Sequence, residues 1–270
     1  MLRRLLVTCS LAALAAASVV HAADPSAIAT ARRDLAAAVS QGDAPGMMRA
    51  RAEFAALAAD GDSPELQWWI AYCGWRAVPL LTEPDREGAR RLCKESIAAC
   101  DRAVAANPRH ADAIALKAAL QALSLSFNPQ AAMSLGPEMG EAYARAEAIE
   151  PANPRVQLFK GIHTLHMPEY VGGGPARARA VFARAVELAD AAHEGAGLRA
   201  LPALRADAHL WAGVCASRAG DWKSAAARYR EALAVDPGNA WVTHRLLPEA
   251  QKHLAAADST ASTTPTPGVR

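Results

Sequence analysis

Residues 206–237 read ADAHLWAGVCASRAGDWKSAAARYREALAVDP. Ala212, Gly213 and Ala216 precede the turn signal Gly220-Asp221; Ala225, Tyr229 and Ala232 follow it, and Pro237 closes the segment. Apolar residues three and four apart share one helix face, and Gly-Asp between two such runs is a turn, so the stretch predicts an antiparallel helical hairpin. Its small residues let two helices approach closely. A hairpin of this kind cannot bury its apolar face alone, so neighbouring hairpins must stack into a superhelix with a concave surface.

The same signature recurs upstream. Ala103 with Pro108 and Ala146 with Pro151 repeat the late alanine and helix-ending proline of Ala232 and Pro237, while Ala185 (with Ala178 and Phe182) and Ala55 mark units whose proline is replaced by Asp190 and Asp60. First helices are expected over about 64–78, 110–125 and 154–166, with Gly74, Ala118 and Gly161 at their contact points. An opening hairpin spans 25–40 and 45–59 around Gly42-Asp43, and 239–256 reads as a capping helix. Alanine dominates the apolar residues and alternation is rare, so the expectation is an all-α superhelix of about eleven helices over 23–256. The Ser/Thr/Pro-rich 257–270 reads as a disordered tail.

Arg3 and Arg4 precede an apolar run from Leu5 to Val20 and the cleavage signature Val20-His21-Ala22, the pattern of a secretory signal peptide over 1–22. The run is too short to span a bilayer comfortably. Cys9 follows Thr8, so an acylation site is not indicated. The expectation is a periplasmic or secreted protein with no membrane insertion after cleavage. Loss of Arg3 and Arg4 takes the formal net charge from +2 to 0. That balance argues against nucleic acid, which needs clustered Lys and Arg.

These features together resemble a tetratricopeptide-repeat protein. Met167-Pro168-Glu169-Tyr170-Val171-Gly172-Gly173-Gly174-Pro175 is similar to the turn before the second helix in some exported bacterial members. A further similarity is to the tetratricopeptide subunit associated with TRAP-type solute transporters. The resemblance implies a scaffold that binds protein or peptide through the inner face of each first helix. Carried over by phase, the partner-binding positions are Trp68 and Trp75; Asp112; Arg155, Leu158, Ile162 and Leu165; then Asp207, Leu210, Val214 and Arg218. The alternative is a small-ligand-binding accessory component of a transport system.

Successive late alanines lie more than the 34-residue repeat apart, so every unit carries an insertion. Those at 78–88, 127–140 and 167–174 fall between first and second helices and should share one rim. The insertion at 191–202 should emerge opposite. Long turns displayed side by side are candidate recognition surfaces.

Other chemistry is weakly marked. Trp68, Tyr72 and Trp75 either form an aromatic wall for a ligand or fill the space left by small alanines. Cys73 and Cys93 lie at similar levels of adjacent helices, so a disulfide and four buried free thiols are both open. His163-x-x-His166 could offer two imidazoles to a soft metal, but no third ligand is near in sequence. Gly172–Gly174 lacks the Lys-Ser/Thr of a nucleotide loop and reads as a turn before Pro175. Ser126, Ser134 and Ser217 have no nucleophile-elbow setting, so neither an enzyme nor a resident cofactor or metal is expected.

Overall fold

Local signals start and stop each helix in the computed structural model, which describes residues 24–59, 63–194 and 202–262. The expected leader lies outside the described residues. Helix α1 (Pro25–Gln41) begins with Asp24 accepting the Ser26 amide and ends at Gly42, whose φ of 67° needs no β-carbon. Helix α2 (Ala44–Ala58) follows at once, making the opening hairpin. Ser63 and Asp85 cap α3 (Pro64–Leu81) and α4 (Arg86–Ala106). Beyond them lie α5 (Ala111–Ser124), α6 (Ala132–Ile149), α7 (Pro154–His166), α8 (Pro175–Glu194), α9 (Pro202–Arg218), α10 (Trp222–Val235) and α11 (Leu247–Ser262). A π turn at Val242–Leu246 leads into α11. Among the described residues there are eleven α-helices and no strand.

The repeated alanine-proline signature has one geometry. At the ends of α4, α6 and α10 the amides of Asn107, Glu150 and Asp236 donate to the carbonyls of Ala103, Ala146 and Ala232 at 2.9, 3.0 and 2.9 Å. Each of those three residues then accepts the amide of the residue three further on, His110, Asn153 or Asn239. That residue in turn caps the next helix through its side chain. The same four-residue connector is thus used three times.

Every helix packs on its sequence neighbour, and α3, α5, α7 and α9 also touch in series. Alternating antiparallel helices, with α3, α5, α7 and α9 each against the next, make an all-α superhelix whose inner layer is α3–α5–α7–α9. Small-to-large contacts hold each hairpin. A β-carbon at Gly161 would lie 2.7 Å from the Phe182 ring, and one at Gly213 would lie 2.5 Å from Tyr229. Apolar residues of α1–α7 form one cluster and those of α7–α11 a second, with Ile162 packed against both.

The superhelix closes on itself. Ser40 donates to Asp236 at 2.8 Å and Gln41 to the Gly238 carbonyl at 2.9 Å, joining the first turn to the last. Arg76 on α3 meets Asp207 on α9 at 2.6 Å.

The insertions differ from expectation in form. Most of 78–88 and 127–140 is helical, extending α3 past Pro79 and starting α6 before Pro137. The expected common rim still forms at its first two members: Arg86 donates to the Ser126 carbonyl at 2.6 Å and covers the Phe127 ring at 5.3 Å. The insertion at 191–202 lies largely outside the described residues. Helix α11 runs to Ser262, six residues past the expected boundary at 256.

Lys160 on α7 reaches Glu147 on α6 at 2.7 Å, and Gln157 donates to the other Glu147 oxygen at 2.7 Å. Lys160 first, then Gln157, holds this carboxyl below its ordinary value of 4.5. A carboxyl that is more acidic in the folded chain stabilises above its unfolded pKa, and the contribution disappears as pH falls through the folded one. Glu147→Gln is therefore expected to unfold at lower urea than the parent at pH 7, with the gap narrowing as pH falls below the ordinary carboxyl range; equal midpoints at pH 7 would contradict the linkage.

Candidate ligand-binding face

The floor of the concave side is filled by its own side chains. Trp68 is fully buried, stacks on Tyr72 at 5.0 Å and carries the Arg155 guanidinium 4.9 Å from its ring. Trp69 stacks on Phe54 at 5.4 Å, and Trp75 meets Phe159 edge-on at 5.0 Å. The Trp68–Tyr72–Trp75 row thus plugs the space between small alanines. Arg155 pairs with Asp112, whose other oxygen accepts from Asn153 at 2.7 Å.

Of the positions carried over from the repeat resemblance, Trp68, Trp75, Asp112, Arg155, Leu158, Leu165, Asp207, Leu210 and Val214 are buried; Ile162 is half-buried and Arg218 exposed. The helices bring Trp68, Asp112 and Arg155 together, and Arg76 joins Asp207 to Trp75 through its guanidinium, 5.5 Å from that ring. Burial pushes the Asp207 carboxyl up, and Arg76 opposes that shift. Both ion pairs face the inside of the closed superhelix.

Above this floor an aromatic ladder runs from α7 across α9 to the segment that leads into α11. His166 ends α7 and lies edge-on to Trp211 of α9 at 5.9 Å; Trp211 lies 5.9 Å from Trp241 at the start of the capping helix. Trp241 is 42 % exposed, His166 is exposed and Trp211 half-buried. Arg218 donates to His166 Nε2 at 2.9 Å. One turn beyond Arg76, on the same side of α3, Leu80 is 44 % exposed. Trp211 lies between Leu210 and Val214 and is not among the positions that the repeat resemblance implies. Its place four residues after Asp207, hence on the same helix face, was the available signal.

His163 lies against the Tyr143 ring at 5.3 Å, whereas His166 turns to α9, so the pair is divided. No group of three or more metal-binding side chains occurs among the described residues. The Gly172, Gly173 and Gly174 amides donate to Glu169, Pro168 and Thr164 carbonyls, which leaves none of the three to cradle an anion. Gly172 and Gly174 have φ of 92° and 90°, the turn before Pro175. Cys73, Cys93, Cys100 and Cys215 are buried and free, and burial pushes the Cys73 and Cys93 thiols up to about 12 and about 11.

No family model and no curated protein matches the chain. Among solved structures it is similar to the HusA haemophore from Porphyromonas gingivalis, at 21 % identity and a TM-score of 0.55, covering 70 % of this chain and 92 % of that one. The likeness is one of fold. It supports an all-helical architecture over most of the described residues. No helix among those residues is long and apolar enough to cross a membrane.

Proposed function

We propose that this chain is an exported binding protein, rather than an enzyme, that holds a small planar apolar ligand bearing acidic groups against the His166–Trp211–Trp241 ladder. Export is supported by the leader pattern over 1–22. The ladder carries the reading: rings of α7, α9 and the segment before α11 meet edge to face in an apolar wall, and Arg218 supplies a cation for a carboxylate at its edge. Indole faces favour stacking on flat conjugated ligands, and a guanidinium matches a carboxylate bidentately. The filled floor limits how deeply anything enters. A porphyrin meets this description, and the structural neighbour, a haemophore, makes it the first ligand to try.

A second reading, a tetratricopeptide-like scaffold for protein or peptide, is favoured by Leu80, Met133, Tyr170 and Val171. All four are exposed and lie at the edge where first helices turn into second ones. Titration of the chain with protoporphyrin IX, followed by tryptophan fluorescence, separates the two. Saturable quenching that weakens at least about tenfold in Trp211→Ala supports the ligand carrier. No saturable binding, together with a stoichiometric protein recovered by pull-down from periplasmic extract, would replace it with the scaffold.

A further inference from the structure

His166 has the hydrogen-bond arrangement of a metal-ligating imidazole. Its Nδ1 lies 2.8 Å from the Ile162 carbonyl oxygen. A carbonyl can only accept, so Nδ1 carries the proton. Arg218 Nη2 lies 2.9 Å from Nε2, and a guanidinium can only donate, so Nε2 holds a lone pair. Both contacts agree on one neutral tautomer. Metal-binding histidines commonly anchor the far nitrogen on a backbone carbonyl in this way, which fixes the ring and raises its basicity.

Its position adds the second argument. His166 is the exposed last residue of α7, at the edge of the aromatic ladder, so its lone pair lies where the ring of a stacked ligand would pass. His163, three residues earlier, lies instead against Tyr143 and offers no such approach.

We propose that His166 Nε2 is an axial ligand to the iron of a bound metalloporphyrin, with Arg218 moving off that nitrogen to pair with a carboxylate of the same ligand. The step exchanges a solvent ligand of the iron for Nε2, the solvent leaving to bulk, and exchanges a neutral acceptor of Arg218 for a charged one, with no change of oxidation state. The inference rests on the ladder being the ligand site, and it adds that the site distinguishes iron porphyrin from the metal-free ring.

The test compares hemin with metal-free protoporphyrin IX on the full chain, by fluorescence titration and by the visible spectrum of the hemin complex. Hemin should bind more tightly than protoporphyrin IX, by about tenfold or more, as loss of support around a metal ligand typically costs 10–100-fold. His166→Ala removes one ring of the ladder for both ligands, so it should weaken hemin at least about tenfold more than it weakens protoporphyrin IX, erasing the difference between them, and should shift the Soret band of the hemin complex; added imidazole should restore the parent spectrum. His166 is exposed, and a far-UV circular dichroism spectrum matching the parent verifies the fold of the variant. If hemin and protoporphyrin IX bind equally, or the hemin spectrum is the same in His166→Ala, the iron ligation is wrong although the ladder stands. If neither porphyrin binds, both the ladder reading and the ligation are overturned.

Discussion

Arg155→Met should lower the unfolding free energy by about 3–5 kcal/mol, the cost of leaving one partner of a buried ion pair uncompensated. That is a large share of the roughly 5–15 kcal/mol that holds an ordinary domain together. Arg155 and Asp112 are 8 % and 9 % exposed, and Asp112 would keep the Asn153 side-chain amide as a donor but lose its countercharge. Methionine retains much of the aliphatic volume over Trp68, so the loss reports mainly on the charge. The double variant Arg155→Met with Asp112→Leu removes both charges and should recover most of the stability, because a buried pair replaced by apolar groups is often neutral. Urea unfolding of the parent, the single variant and the double variant measures both. A single-variant loss below about 1 kcal/mol would be the behaviour of a solvated surface pair and would mean that the floor of the concave side is open to water.

Gly213→Val is expected to lose about 2–3 kcal/mol by overpacking. The added β-carbon alone would come within 2.5 and 2.7 Å of two Tyr229 ring atoms, and Tyr229 is buried between α9 and α10 with little room to withdraw. A contrasting substitution isolates this effect from helix propensity. Gly140 on α6 has nothing within 4 Å of where its β-carbon would go, so Gly140→Ala should gain up to about 1 kcal/mol from propensity alone. Thermal unfolding of the two variants should move in opposite directions. If Gly213→Val melts with the parent, close approach of α9 and α10 is not what holds that hairpin.

How much was legible depends on whether a signal was local. The opening hairpin, the α7 boundaries and the three alanine-proline helix ends came from caps, prolines and a left-handed glycine, all of which act within a few residues. The start of α6 was misjudged because Gly136, Pro137 and Gly140 carry loop chemistry. There the burial of Met139 and the packing of Leu135 against the main cluster override it. His166 drew notice only as half of a pair with His163. Its partners, Trp211 and Arg218, come from a helix that begins 36 residues later, and no spacing rule reports such a contact.

The all-α class, the hairpin as the repeating unit and the small-against-large contacts are written locally in the chain, because these depend on neighbours within one or two helices. Only the tertiary structure decided that the concave face is filled below and lined with aromatic rings above. The curvature of a stack is the sum of small rotations at every interface. Bulky Trp68 and Trp75, and the pairing of Arg76 with Asp207 and Ser40 with Asp236, fix that sum only once the distant ends of the chain have met.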